Sequence, residues 1–113
     1  TRSNGKLKYY IPGGKRELGE TDPQTLFREI KEELAVDIDP ISMEFVGIFE
    51  AHSDGHNPEV LVRMTCYSAS YTGKLAPATE ISELVWLNYK DREMVSEVDK
   101  LIFDFLKGKG MLF

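Results

Sequence analysis

Residues 14–36 read GKRELGETDPQTLFREIKEELAV, and the second half of this stretch decides the architecture. Thr21 or Asp22 can cap a helix, and Pro23 suits a first turn, where its missing N–H is not needed. Gln24 stands three residues after Thr21, as a capping box requires. Leu26, Phe27, Ile30 and Leu34 then recur at spacings that gather them on one face of a 3.6-residue period. The segment is therefore a helix that docks on a core and stops near Leu34 or Ala35. Away from that stripe, Glu29, Glu32 and Glu33 fall within about a third of the circumference, because spacings of three and four return to one face. Such neighbours sit roughly 5 to 6 Å apart at Cβ and repel, so helix propensity gives no reason to gather them. A hard divalent cation does, because Mg²⁺ and Mn²⁺ take oxygen ligands while keeping positions open for substrate phosphates. Taken alone, the same Glu-x-x-Glu-Glu also reads as a solvated face with Arg28 and Lys31 as intrahelical partners.

Working outward, Leu7 to Ile11 reads as a short strand halted at Pro12-Gly13-Gly14, and a loop runs on to Thr21. Met43 to Ala51 and Glu59 to Tyr71 are rich in aromatic and β-branched residues, which predicts two strands. The stretch from His52 to Pro58 between them is turn material, with His52 and His56 read as loop polar groups rather than ligands. Thr72-Gly73-Lys74 is another turn and Glu83 to Leu87 a short strand. Val98, Leu101, Ile102, Phe105 and Leu106 stripe a second helix that Gly108 can end. Each apolar helix face needs a sheet to cover it, so an α/β layered fold follows. No repeat or linker interrupts it, and residues 1–113 are expected to form a single domain.

With 113 residues, 42% hydrophobic and 29% charged, the chain is sized and composed for one packed domain rather than a disordered segment. A net charge of -5 excludes a protein whose main work is coating nucleic-acid polymers. The charge is uneven: Thr1 to Gly19 carries a net +4, which suits an anion or a solvated basic hairpin. Cys66 stands alone in an alternating run and reads as a core residue, not a disulfide or thiolate site. No apolar stretch approaches the roughly 18 residues of a membrane span and no signal peptide is visible, so no membrane partner and a cytoplasmic setting are expected.

The wider spacing adds a resemblance. Gly14, five residues, Glu20, seven residues, then Arg28-Glu29-Ile30-Lys31-Glu32-Glu33-Leu34-Ala35-Val36 resembles the signature of the Nudix hydrolases, Gly-x5-Glu-x7-Arg-Glu-U-x-Glu-Glu-x-Gly-U with U aliphatic. Eight of its nine fixed positions match. The resemblance implies a Nudix-type α/β/α sandwich with a mixed sheet between helices. It also implies Mg²⁺- or Mn²⁺-dependent hydrolysis of a nucleoside diphosphate linked to another moiety, by attack of water at phosphorus. By the same resemblance Glu29, Glu32 and Glu33 are the metal ligands, the Gly14 carbonyl a further one, and Arg28 with Glu20 an ion pair holding loop against helix. Glu29 is the first choice as general base, with Glu80 and Glu83 as alternatives.

Two positions depart from the family pattern. Ala35 replaces a glycine suited to a left-handed backbone, so an altered helix end is expected, with metal binding kept because the carboxylates lie upstream. Family members also place a strand ahead of the segment matching Lys8 to Ile11, and too few residues precede Lys8 to supply it, so the domain is expected to be N-terminally incomplete. For substrate, a nucleoside triphosphate cleaved to monophosphate and pyrophosphate is the reading. Tyr9, Tyr10, Phe49 and Tyr67 are candidates for stacking on a base, and Arg63 for gripping a phosphate. A homodimer is left open. The alternative function is a Nudix-like module that senses a nucleotide without cutting it.

Overall fold

Thr21 starts helix α1 (Asp22–Leu34) with a complete capping box. The Gln24 N–H donates to Thr21 Oγ1 at 3.3 Å, and the Thr21 N–H donates to Gln24 Oε1 at 2.9 Å. The computed structural model of the chain describes residues 1–53 and 59–113, so the expectations for His56 and the turn around it lie outside the described residues. Helix α1 buries Thr25, Ile30 and Leu34, with Leu26 packed against the same cluster. Leu26, Ile30 and Leu34 follow at i, i+4 and i+8, a line narrow enough that Phe27 falls on its flank and is 39% exposed rather than core. Ala35 closes the helix in the left-handed region, at φ 61° and ψ 23°, and its N–H donates to Lys31 O at 3.1 Å. The altered helix end expected from the missing glycine does not occur. Alanine takes the angle a glycine would, because the turn delivers Val36 and Ile38 into the cluster built with Ile30 and Leu34.

Among the described residues the strands form three antiparallel pairs. Strand β1 (Arg2–Ser3) pairs with β6 (Ile81–Glu83), β2 (Asp37–Ile38) with β5 (Tyr71–Thr72), and β3 (Glu44–His52) with β4 (Leu61–Ser68). The α/β class stands, but in place of one mixed sheet these pairs form separate two-stranded sheets, beside one isolated parallel bridge between Tyr9 and Val95. That bridge is all that forms of the strand predicted over Leu7–Ile11. Asn4 and Gly5 turn the front end back, with Gly5 at φ 79°, so that Arg2 and Ser3 meet β6 while Leu7 is left 90% exposed.

The long strand predicted up to Tyr71 breaks after Ser68, because the next residues serve another pair. The Ser70 N–H donates to Ser42 Oγ and Ser70 O accepts from Asp39, both at 2.8 Å, and Tyr71 then joins β2. The strand predicted at Glu83–Leu87 starts two residues earlier and ends at Glu83. Helix α2 (Glu97–Gly108) begins at the Ser96 cap and packs on β3 and β4. Its buried residues include Val98, Ile102 and Phe103, whereas Leu101 and Phe105 are 40% and 37% exposed. Among the described residues no helix is long and apolar enough to cross a membrane.

Candidate active site

Helix α1 presents its acidic face to the Gly13–Glu20 loop, and Arg28 ties the two together. Its Nε donates to Glu20 Oε2 at 2.8 Å and its Nη2 to Glu20 Oε1 at 2.9 Å, a two-point fork that fixes direction as well as distance. The same guanidinium donates to Glu29 Oε1 at 2.6 Å and to the Lys15 carbonyl at 3.1 Å, and lies 3.6 Å from Glu32. The helix-internal contact with Glu32 is thus the longest of the three ion pairs Arg28 makes with Glu20, Glu29 and Glu32. Hydrogen bonds from Arg28 hold the Glu20 carboxyl down at about 2, and Glu20 and Glu29 raise the guanidinium in return.

Gly14 lies against this assembly: a β-carbon built there would sit inside the Glu29 carboxylate. Its neighbour Gly13 donates its N–H to Glu33 Oε2 at 3.1 Å. Glu33 is half-buried, and burial, with repulsion from Glu29 and Glu32, pushes its carboxyl up to about 7 despite the Gly13 bond. The acidic face therefore carries a negative charge that the protein itself does not fully compensate.

Opposite α1 stands the loop leading into β6. Its Ala76 and Ala78 N–H groups donate to Leu34 O and Glu33 O at 3.0 and 2.9 Å, satisfying carbonyls that the helix end leaves open. Helix and loop enclose an open cavity of about 400 Å³ lined by Glu29, Glu32, Glu33 and Glu80, with Ser3 and Asn4 at its front. Four carboxylates around one hollow are the donor chemistry of a hard divalent cation. Among the described residues no three acidic, histidine or cysteine side chains already stand as a ready ligand cluster. Glu29 is turned to Arg28 and Glu33 to the Gly13 N–H.

Several residues singled out in the sequence stand elsewhere. Glu83 accepts from Tyr9 Oη at 2.8 Å and from Arg2 Nη2 at 3.1 Å, and these bonds lower its carboxyl. Phe49 packs edge-on to Phe105 of α2, with ring centroids 5.6 Å apart. Arg63 pairs across the β3–β4 ladder with Glu50 at 3.2 Å. Tyr10 exchanges backbone hydrogen bonds with Thr1 and, like Phe49 and Arg63, does not line the acidic cavity. Tyr67 donates to Asp22 at 2.7 Å and borders a separate apolar cavity of about 280 Å³ on the other flank of α1, with Leu26, Ile30 and Trp86. Cys66 is half-buried and burial raises its thiol. Sequence reasoning missed Ser3, Asn4 and Gly13. Gly13 adjoins the motif, but no local pattern announces that Ser3 and Asn4 front the cavity.

The NUDIX domain family matches residues 1–105 of the chain. An uncharacterized Nudix hydrolase, YvcI, of Bacillus subtilis (strain 168) is 31% identical over 107 residues, covering 92% of this chain and 68% of the relative. Among solved structures, the crystal structure of the mutator MutT protein from Bacillus halodurans superposes with a TM-score of 0.69 at 25% identity, over 91% of this chain and 69% of that one.

Proposed function

The chain belongs to the Nudix family, and from that footing we propose that it cleaves a nucleoside triphosphate to monophosphate and pyrophosphate with the help of Mg²⁺. As a Nudix hydrolase it acts on a pyrophosphate bond in a nucleoside diphosphate derivative, and the family generally uses divalent cations. The observation that carries the finer reading is the cavity in which Glu80 faces Glu29, Glu32 and Glu33.

Glu29, Glu32 and Glu33 would hold the cation, with the Gly14 carbonyl beside them. Mg²⁺ bound there supplies charge neutralisation to the diphosphate and a water of lowered pKa. Glu33, charged against its burial, gains most from a nearby cation. Arg28 keeps the Gly13–Glu20 loop on the helix through its fork to Glu20 and orients Glu29 through the shorter contact. The bond from Arg28 Nη1 occupies Glu29 Oε1, which makes it a poor proton acceptor. Glu83 is likewise committed, to Arg2 and Tyr9. Glu80 is the general base in this reading: it lines the same cavity, and among the described residues no ion pair engages it. A water between it and the phosphorus would lose a proton to the Glu80 carboxylate as the new P–O bond forms and the bridging P–O bond of the anhydride breaks, the bridging oxygen leaving with the other product.

The test is incubation with Mg²⁺ and a panel of nucleoside triphosphates, ADP-ribose and dinucleoside polyphosphates, followed by release of pyrophosphate or phosphate. Turnover confined to triphosphates with pyrophosphate as product supports the assignment. Glu32→Gln should then lower turnover by orders of magnitude with the fold intact. Tight nucleotide binding with no turnover on any substrate supports a sensing module instead.

A further inference from the structure

We propose that Asn4 is a positioning residue that fixes the direction in which Glu80 enters the cavity. Asn4 is 75 residues from Thr79 in the sequence, yet it reaches both peptide planes flanking the Glu80 α-carbon. Its side-chain Nδ2 donates to Thr79 O at 2.9 Å, and its backbone N–H donates to Glu80 O at 3.0 Å. Thr79 O belongs to the plane before Glu80 and Glu80 O to the plane after it. One residue holding both therefore restrains the φ and ψ of Glu80, and with them the Cα–Cβ direction.

Asn4 is itself held. The Lys6 N–H donates to Ser3 O at 3.0 Å and closes the turn at Asn4-Gly5, while Ser82 Oγ donates to Arg2 O at 2.9 Å and β1 pairs with β6. On the far side, the Ala78 N–H to Glu33 O bond pins the same loop to the end of α1. Glu80 thus stands between two anchors, one on the helix that carries the acidic face and one on the Asn4 turn. The side-chain anchor needs an N–H donor that can reach the Thr79 carbonyl. An aspartate would bring an oxygen against the Thr79 carbonyl, and alanine reaches nothing.

This inference rests on Glu80 acting as the base, and its test separates the two. Five proteins are compared: the wild type, Asn4→Ala, Asn4→Gln, Glu80→Gln and the Asn4→Ala/Glu80→Gln double variant. Each is assayed with Mg²⁺ and either GTP or ATP by pyrophosphate release, and without added cation by amide hydrogen exchange. Asn4→Ala should lower kcat about 10- to 100-fold with little change in KM, the range seen when a supporting hydrogen bond is removed from a site. In the Glu80→Gln background it should cost nothing further, because no base remains to be aimed. Exchange should quicken in residues 78–81 and stay unchanged in α1. Asn4→Gln, which keeps an amide donor, should recover part of the loss.

Additive losses, a rise in KM with kcat kept, or unchanged exchange at 78–81 overturn the assignment. So does a Glu80→Gln variant as active as the wild type, an outcome that leaves the cation reading standing if Mn²⁺ titration still shows binding. If neither probe is turned over, the triphosphate reading falls by itself and the exchange result decides the role of Asn4.

Discussion

Ala35→Gly should stabilise this protein without making it a faster enzyme. Ala35 is the one non-glycine residue at positive φ among those described, at φ 61°. The left-handed region costs an L-residue about 1 to 2 kcal/mol through the clash of Cβ with the following carbonyl oxygen, a term glycine lacks. Glycine gives back about 0.4 to 1 kcal/mol by loosening the unfolded chain. Ala35 is exposed, so its methyl group forfeits little packing, and the N–H to Lys31 O bond is backbone and survives the change. The net gain is about 0.5 to 1 kcal/mol, which for a domain of this size raises Tm by roughly 2 to 8 °C. Urea unfolding followed by circular dichroism measures it, with an unchanged m-value showing that the same transition is compared. Turnover should stay at the wild-type level, because the carboxylates precede the substitution and the loop facing them hangs on the Glu33 and Leu34 carbonyls. Equal or lower stability would refute the strain at Ala35. A large gain in activity would show that the helix end, not the acidic face, limits the site.

Three further outcomes follow from the site. Gly14→Ala places a β-carbon inside the Glu29 carboxylate, so Mn²⁺ affinity read by electron paramagnetic resonance should fall about 10- to 100-fold while the fold persists; unchanged affinity removes Glu29 from the cation site. Arg28→Lys keeps the charge but loses the two-point grip on Glu20, so kcat should drop about 10- to 100-fold and the Gly13–Glu20 loop should become more sensitive to protease; wild-type kcat counts against the clamp. The third concerns the chelated, cation-free protein, in which burial raises Glu33 from the ordinary 4.5 to about 7. The folded state then binds this proton more tightly than the unfolded chain, so the contribution of Glu33 to stability is fully present below about 4.5 and is lost as pH rises through 7. Glu33→Gln should flatten that decline between pH 5 and 8 in a series of thermal melts, and parallel slopes in the two proteins would assign it to another group.

What could be read from the sequence is what neighbours in the chain decide. The cap at Thr21, the line through Leu26, Ile30 and Leu34, and the acidic face opposite it depend on contacts a few residues apart, and the structure keeps all of them. Phe27 shows where this runs out, since how wide an apolar face must be depends on what packs against it. The strand at Leu7–Ile11 failed for a related reason. Its tyrosines and isoleucine have strand character, but a strand needs a partner, and the Asn4-Gly5 turn gives β6 to Arg2 and Ser3 instead.

The same logic separates the two acids that the sequence could not rank. Glu80 and Glu83 lie on one short segment, three residues apart, and by composition alone either could serve the cavity. The pairing of β1 with β6 sets Arg2 opposite Glu83, and Tyr9 adds a second donor, so that carboxylate is consumed by the fold. Glu80 lies just before β6, where the chain passes between Asn4 and the end of α1. A cavity with one wall from a helix and the other from a loop held by the first four residues has no local signature for its second wall. The pattern therefore named the helix carboxylates directly, whereas the proposal of Glu80 over Glu83 rests on a pairing between residues about 80 positions apart.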